Sequence, residues 1–430
     1  MNSTGKTEAA ERLLDLIDRA TSPYTASAEI RRQLDEAGFL ELDYGKHWVL
    51  EYGKAYYVCP FGTSVIAFRT GKEAALPIFR IGTSHIDSPC LRMKDGLEYR
   101  NDRYERINTE PYGGGIWNTW LDRPLSISGM VCLRGAAVYE PIRKTVDFRK
   151  PVCVVPNRAF HLNRSVNSGV PIVAQSDLIP LGGTGSGQSD LTKRLSILLG
   201  VKAEEILSYE LYLYNAEPGC ITGFDEDLIT APRIDNLSSV SALLQGIIRG
   251  SGSDLIETAC FYDHEEIGSQ SKNGADGGLL SMVLERAAYA LGYDRMQYLE
   301  GLPKSFYLSL DVAHADHPNH PEATDPTTGV ALNEGIAVKA CGRQIYSTDG
   351  FSSGVVRELC RQKGIPCRLN YPNSNSTGGG TVGPVISSLL GVESADIGIP
   401  ILAMHSAMET AGVSDYFYLE ELMKAYFARA

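Results

Sequence analysis

Two adjacent glutamates stand in the run Asp263-His264-Glu265-Glu266-Ile267-Gly268-Ser269, directly after the short apolar stretch Thr258 to Tyr262. Such a pair at a strand end can divide the labour of a metal-assisted hydrolysis. One carboxylate holds a cation while its neighbour, left free, takes a proton from the attacking water. Alone, the pair fits a solvated strand end equally well. In Gly82-Thr83-Ser84-His85-Ile86-Asp87-Ser88-Pro89 an imidazole and a carboxylate lie two positions apart, on one side of an extended segment. His85 could bind metal there while Asp87 orients it, or the general base, from behind; the same spacing also occurs in surface pairs. Asp235, in Pro232-Arg233-Ile234-Asp235-Asn236, precedes a helical pattern, where it reads as an N-cap or as a carboxylate shared between two cations. Asp311 ends the buried-looking run Lys304 to Leu310, a costly place for a charge without a partner. His405 follows the apolar run Ile397 to Met404, as a structural residue or a ligand.

Taken together, His85, Asp235, Glu266, Asp311 and His405 make two imidazoles and three carboxylates, a donor set that suits two divalent ions such as zinc, cobalt or manganese. Glu265 stays unliganded, as a base should. His314, His317 and His320 recur at equal spacing, but Pro318 and Pro321 argue against a regular helical site and for a loop beside the centre.

Elements able to position these groups are legible around them. Helices are expected near the N-terminus, where Leu13, Leu14, Ile17 and Ala20 form an apolar stripe, and from about Ala26 to Ala37 after a break at Ser22-Pro23. From Asn236 onward, helical patterns (238–248, 278–291, 350–363) alternate with short apolar strands (256–262, 304–310, 397–404). That alternation predicts an α/β fold with a mixed, mostly parallel sheet flanked by helices, its ligand groups at the strands' carboxyl ends. Between Lys94 and Ala231, β-branched and aromatic runs with frequent Gly and Pro predict an inserted β-rich domain. The expected division is therefore 1–93 with 232–430 as the catalytic part and 94–231 as the insertion. The Gly-rich loop Gly182 to Gly187 lacks the setting of a phosphate-binding loop.

With 430 residues, 43% of them hydrophobic, the chain can bury a sizeable core. A net charge of −12 without basic runs argues against nucleic acid. Nine scattered cysteines without a C-x-x-C pair suit reduced, mostly buried thiols in the cytoplasm and speak against a thiolate zinc site. No apolar run reaches the length of a membrane span.

Several ordered motifs extend the pattern over nearly the whole chain: Ser22-Pro23-Tyr24, HIDSP at 85–89, GGGIWNTWLDRPL at 113–125, PRIDNLSS at 232–239, DHEEIGS at 263–269, SLDVAHADHPN at 309–319 and AMHS at 403–406. In these the chain resembles the aspartyl aminopeptidase family of metalloaminopeptidases. The resemblance implies a zinc-peptidase-like α/β domain, release of N-terminal residues from peptides, and a homo-oligomer, often a dodecamer, built with the inserted domain. It implies that His85 and Asp311 hold one ion and Glu266 and His405 the other, with Asp235 between them and Glu265 as base. His161 corresponds to a histidine that reaches an active site, that of a neighbouring subunit, for substrate or transition-state contact or else as a metal ligand, and His314 and Lys339 to contacts with the substrate side chain. Two positions depart from the family pattern. Met408 stands where an arginine is common before the glutamate, which weakens the expectation of a strict preference for acidic residues, and Thr25 stands where a histidine is common.

Two rival readings remain. A dinuclear deacylase or carboxypeptidase would grip a carboxylate in place of an amine, so N-acetylated and free-amine peptides separate it. A catalytically silent assembly protein would show neither bound metal nor turnover.

Overall fold

The computed structural model describes residues 3–94, 99–101, 103–185, 191–250, 254–376 and 378–428. The last residues of the Gly182 to Gly187 loop lie outside them. The centre of the molecule is a nine-stranded mixed sheet in the order Leu40–Glu41, Ala55–Val58, Val65–Arg69, Ile256–Tyr262, Phe79–His85, Phe306–Leu310, Glu393–Gly398, Ile336–Lys339, Cys367–Asn370. Phe79–His85 runs parallel to both of its neighbours, and Phe306–Leu310 is parallel to Glu393–Gly398.

Strict alternation of side chains explains why helices cover both faces. Ala259 and Phe261 pack with Leu308, Leu310 and Ile397 beneath helices Ser3–Arg19, Ile234–Ile248 and Val413–Tyr426. Cys260, Tyr262, Ile81 and Tyr307 point the other way, toward helices Leu279–Ala290, Arg295–Gly301 and Val382–Leu390. Contact is tight enough that a Cβ on Gly82 would meet Leu243 Cδ1 at 2.5 Å, so the helix carrying Asp235 is pressed directly onto the strand carrying His85.

A second sheet of five strands, Ile142–Asp147, Leu125–Leu133, Ile206–Asn215, Cys90–Met93 and Thr109–Tyr112, has its own apolar core around Leu91, Ile127, Val131 and Leu211. Residues Cys220–Thr222 and Leu228–Ala231 join a further sheet with Glu409–Gly412, Pro400–Leu402 and Ala313–His314.

Local detail departs from the sequence expectations in three places. The run 397–404 is two strands, Glu393–Gly398 and Pro400–Leu402, which belong to different sheets. The Ser22-Pro23 break is a helix start: Ser22 caps Pro23–Glu36, and the Thr25 hydroxyl accepts the N–H groups of Thr21 and Ser22, both at 2.8 Å. Thr25 thus has a structural task of its own. All nine cysteines are free, but only Cys153, Cys260, Cys341 and Cys360 are buried, fewer than expected. No helix among the described residues is long and apolar enough to cross a membrane.

Candidate metal centre

Parallel strands deliver their carboxyl ends to one edge. His85 is the last residue of Phe79–His85, Asp311 follows Phe306–Leu310, and Glu265 and Glu266 form a short turn after Ile256–Tyr262. Asp235 opens helix Ile234–Ile248, and His405 follows Pro400–Leu402. Arg233, His264 and His405, all next to or within this group, adopt left-handed backbone conformations with φ of 59°, 67° and 68°. For non-glycine residues that conformation costs about 1–2 kcal/mol each, and such costs concentrate where function fixes the geometry.

Asp235 stands between the two imidazoles. Its Oδ1 is 3.4 Å from His85 Nε2 and its Oδ2 is 3.3 Å from His405 Nε2. His85 Nε2 is also 3.6 Å from Asp311 Oδ1, and His405 Nε2 is 3.5 Å from Glu266 Oε2. Two triads result, each with one imidazole nitrogen and two carboxylate oxygens. A tetrahedral zinc with bonds of about 2.0–2.1 Å separates neighbouring donor atoms by roughly 3.4 Å, which is the spacing found here. Buried oxygens Asp235 Oδ1 and Glu266 Oε1 have no hydrogen-bond donor, as expected of atoms meant for a cation. His85, Asp235 and Glu266 place donor atoms within 4.8 Å of one another.

Both imidazoles are oriented by backbone carbonyls. His85 Nδ1 donates to Asp87 O at 3.0 Å and His405 Nδ1 donates to Gly114 O at 2.9 Å. A carbonyl can only accept, so each Nε2 is left free to ligate. Gly113, with φ of 71°, packs against the Cβ of Glu266; a Cβ of its own would lie 3.2 Å away. Asp87 therefore orients His85 through its main chain, its Oδ1 also lying 3.5 Å from His85 Nδ1, and its carboxylate has further partners. It accepts the N–H groups of Glu265 and Glu266 at 3.2 and 3.1 Å and the Tyr112 hydroxyl at 2.8 Å.

Crowded buried acids set the electrostatics. Burial, reinforced by the charge of Asp235, holds the Glu266 carboxyl well above its ordinary range. Burial likewise pushes Glu265 up to about 7, with Asp311, Asp87 and Asp235 adding to the shift against His85. Burial opposes charging of His405, but the hydrogen bond to Asp235 and the charge of Glu266 outweigh it and raise the ring to about 10. His85 is raised well above 6.5 in the same way by Asp235, Asp311 and Asp87. A cluster that forces protons onto its own ligands is short of positive charge, and a divalent cation supplies it.

The centre lines a cavity of about 650 Å³ that also presents Glu265, His314, His317, Lys339, Tyr346 and Met404. Lys339 is buried, with Nζ 3.1 Å from Val312 O, 3.5 Å from Asp311 Oδ2 and 5.0 Å from the Tyr346 ring centroid. Burial lowers His314 below its ordinary pKa, and the Lys339 ammonium lowers it further. His320 lies outside the cavity lining, exposed beside Glu322. Met408 lies outside it as well. His161 sits exposed in the turn Phe160–Leu162 and does not line this chain's cavity.

Sequence reasoning missed Glu409 and Tyr112. The sequence marks them only by position, Glu409 four residues after His405 and Tyr112 directly before Gly113-Gly114-Gly115.

Residues 16–427 match the family described as aminopeptidase I zinc metalloprotease (M18). The chain is 37% identical over 428 residues to the Clostridium novyi (strain NT) protein named "Probable M18 family aminopeptidase 2", covering 98% of this chain and 99% of that protein. Among solved structures, that of the Ape4 and Nbr1 complex superposes with a TM-score of 0.94 at 28% identity, covering 99% of this chain and 87% of that one. The S. cerevisiae mApe1 dodecamer superposes with a TM-score of 0.84 at 26% identity, covering 97% and 96%.

Proposed function

The chain belongs to the aminopeptidase I zinc metalloprotease family (M18), and on that premise we propose that the cavity is a dinuclear zinc centre releasing N-terminal residues, acidic or neutral, from peptides. The observation that carries this reading is the placement of the Asp235 carboxylate, one oxygen toward each imidazole. His85 and Asp311 would hold one ion and His405 and Glu266 the other, with Asp235 shared; cobalt or manganese could replace zinc. When bound, the ions polarise the scissile carbonyl and bring the pKa of the attacking water toward about 7. Glu265 takes the proton of that water and returns it to the leaving amine. Asp87 fixes the backbone of Glu265 and Glu266 so that the base and the neighbouring ligand keep their spacing. His314 faces the substrate side chain. Lys339 is engaged by Asp311 and Val312, which favours acceptance of neutral residues.

The proposed assembly is a homo-oligomer, as in the S. cerevisiae dodecamer, with segment 94–231 as the inserted domain that contacts neighbouring subunits. His161, flanked by the exposed Phe160 and Leu162, is proposed to reach a neighbour's cavity. The nine free thiols support a reducing compartment, the cytoplasm.

Hydrolysis of free-amine and N-acetylated aminoacyl substrates (Asp, Glu, Leu, Met, Lys, Ala), with zinc, cobalt or manganese and after chelation, tests the reading. Chelator-sensitive activity confined to free amines is expected. Activity on acetylated substrates, or activity indifferent to chelation, would overturn it.

A further inference from the structure

Glu409 is 2% exposed and opens strand Glu409–Gly412, where antiparallel pairing sets it opposite Ala231. That register brings one side chain within reach of two distant points of the chain. Oε2 accepts the Asp235 N–H at 2.9 Å, and Oε1 accepts the His405 N–H at 2.7 Å. Among the described residues no lysine or arginine forms an ion pair with it. A buried carboxylate without a cation is expensive, so its retention calls for a reason beyond packing. Only a carboxylate offers two separate acceptor oxygens and no donor. A glutamine here would turn an NH2 group toward one of the two amides.

The geometry points to Glu409 as a positioning residue for the metal centre, one that fixes the spacing of Asp235 and His405 and thereby the affinity for the ion held with Glu266. This rests on the reading of Asp235 and His405 as ligands. His405 has φ of 68°, so its amide lies in strained backbone that must be held from outside, and Asp235 stands two residues beyond Arg233, itself at φ of 59°. Asp87 does for the amides of Glu265 and Glu266 what Glu409 does for those of Asp235 and His405. Two buried carboxylates thus anchor the main chain of four residues in the centre.

The test is calorimetric titration of Zn2+ into chelator-stripped wild-type protein and Glu409→Gln, with melting temperatures of both stripped proteins. Two tight ions are expected in the wild type. In the variant one ion remains tight and the second binds about 10- to 100-fold more weakly, with turnover recovering as Zn2+ is raised. Two ions bound with wild-type affinity by the variant would overturn the role, whatever its melting temperature. Absence of ion binding by the wild type would overturn it together with the metal-centre reading. If Glu409→Gln does not fold, deuterium exchange of the stripped wild type decides. Protection at the amides of Asp235 and His405 supports Glu409 as their acceptor, and exchange as fast as in exposed loops overturns it.

Discussion

Replacing Glu265 by glutamine separates proton transfer from ion binding. The Glu265 carboxyl lines the cavity, receives no hydrogen bond from another described residue, and belongs to neither triad of donor atoms. Burial raises it to about 7, with Asp311, Asp87 and Asp235 adding to the effect, which makes it a stronger base than a solvated carboxylate and matches it to work near neutrality. Glutamine keeps the volume and leaves the backbone hydrogen bond to Asp87 in place, but it cannot take a proton. Loss of a general base costs about 10²- to 10⁴-fold in kcat, or roughly 3–5 kcal/mol of barrier. Steady-state hydrolysis of a free-amine aminoacyl substrate, with metal content measured on the same samples, is the assay. The expected result is that loss with unchanged metal. A second readout is pH: the carboxyl works when ionised, so activity is lost as pH falls through its pKa. Bound cations draw that pKa down from about 7 toward the ordinary 4.5, and the acid limb of kcat/KM should lie between these values and vanish in the variant. Wild-type-like turnover, or loss of metal, would refute the assignment.

Other perturbations probe the surroundings. Lys339→Met removes the cation 3.5 Å from Asp311 Oδ2; kcat/KM should fall about 10- to 100-fold for every substrate alike, whereas a loss confined to Asp and Glu substrates would make Lys339 a direct contact with the substrate side chain. Zinc binding to stripped protein near pH 7.5 should release protons. Burial opposes charging of His405, but Asp235 and Glu266 raise it to about 10, and the ring must lose that proton to ligate. The apparent affinity therefore rises with pH up to that value. Titrations in phosphate and Tris should differ in enthalpy by the protons released, and equal enthalpies would contradict the protonated ground state.

Much of the centre was legible because its donors carry their own chemistry and fall at strand ends that apolar runs announce. His85, Glu266 and Asp311 are of this kind. The strand over 397–404 was read as one because hydrophobicity continues through Ile399, although the chain passes there from one sheet to another. Glu409 and Tyr112 were missed because their tasks depend on register: Glu409 opposes Ala231, and the Tyr112 hydroxyl reaches Asp87, neither of which local spacing reveals. Asp87 illustrates the same limit. Its spacing from His85 implied a side-chain contact, which is present at 3.5 Å, but not the use of its carbonyl for the imidazole and of its carboxylate for two amides. Pro318 and Pro321 marked the repeat of His314, His317 and His320 as a loop beside the centre, and local spacing could not show that only the first two line the cavity.

Locating the ions tests the central claim most directly. Anomalous diffraction above the zinc edge from crystals of the zinc-loaded protein should show two sites about 3.5–4 Å apart, one beside His85 and Asp311 and the other beside His405 and Glu266, with Asp235 bridging. A single ion, or two ions that do not share Asp235, would contradict the account.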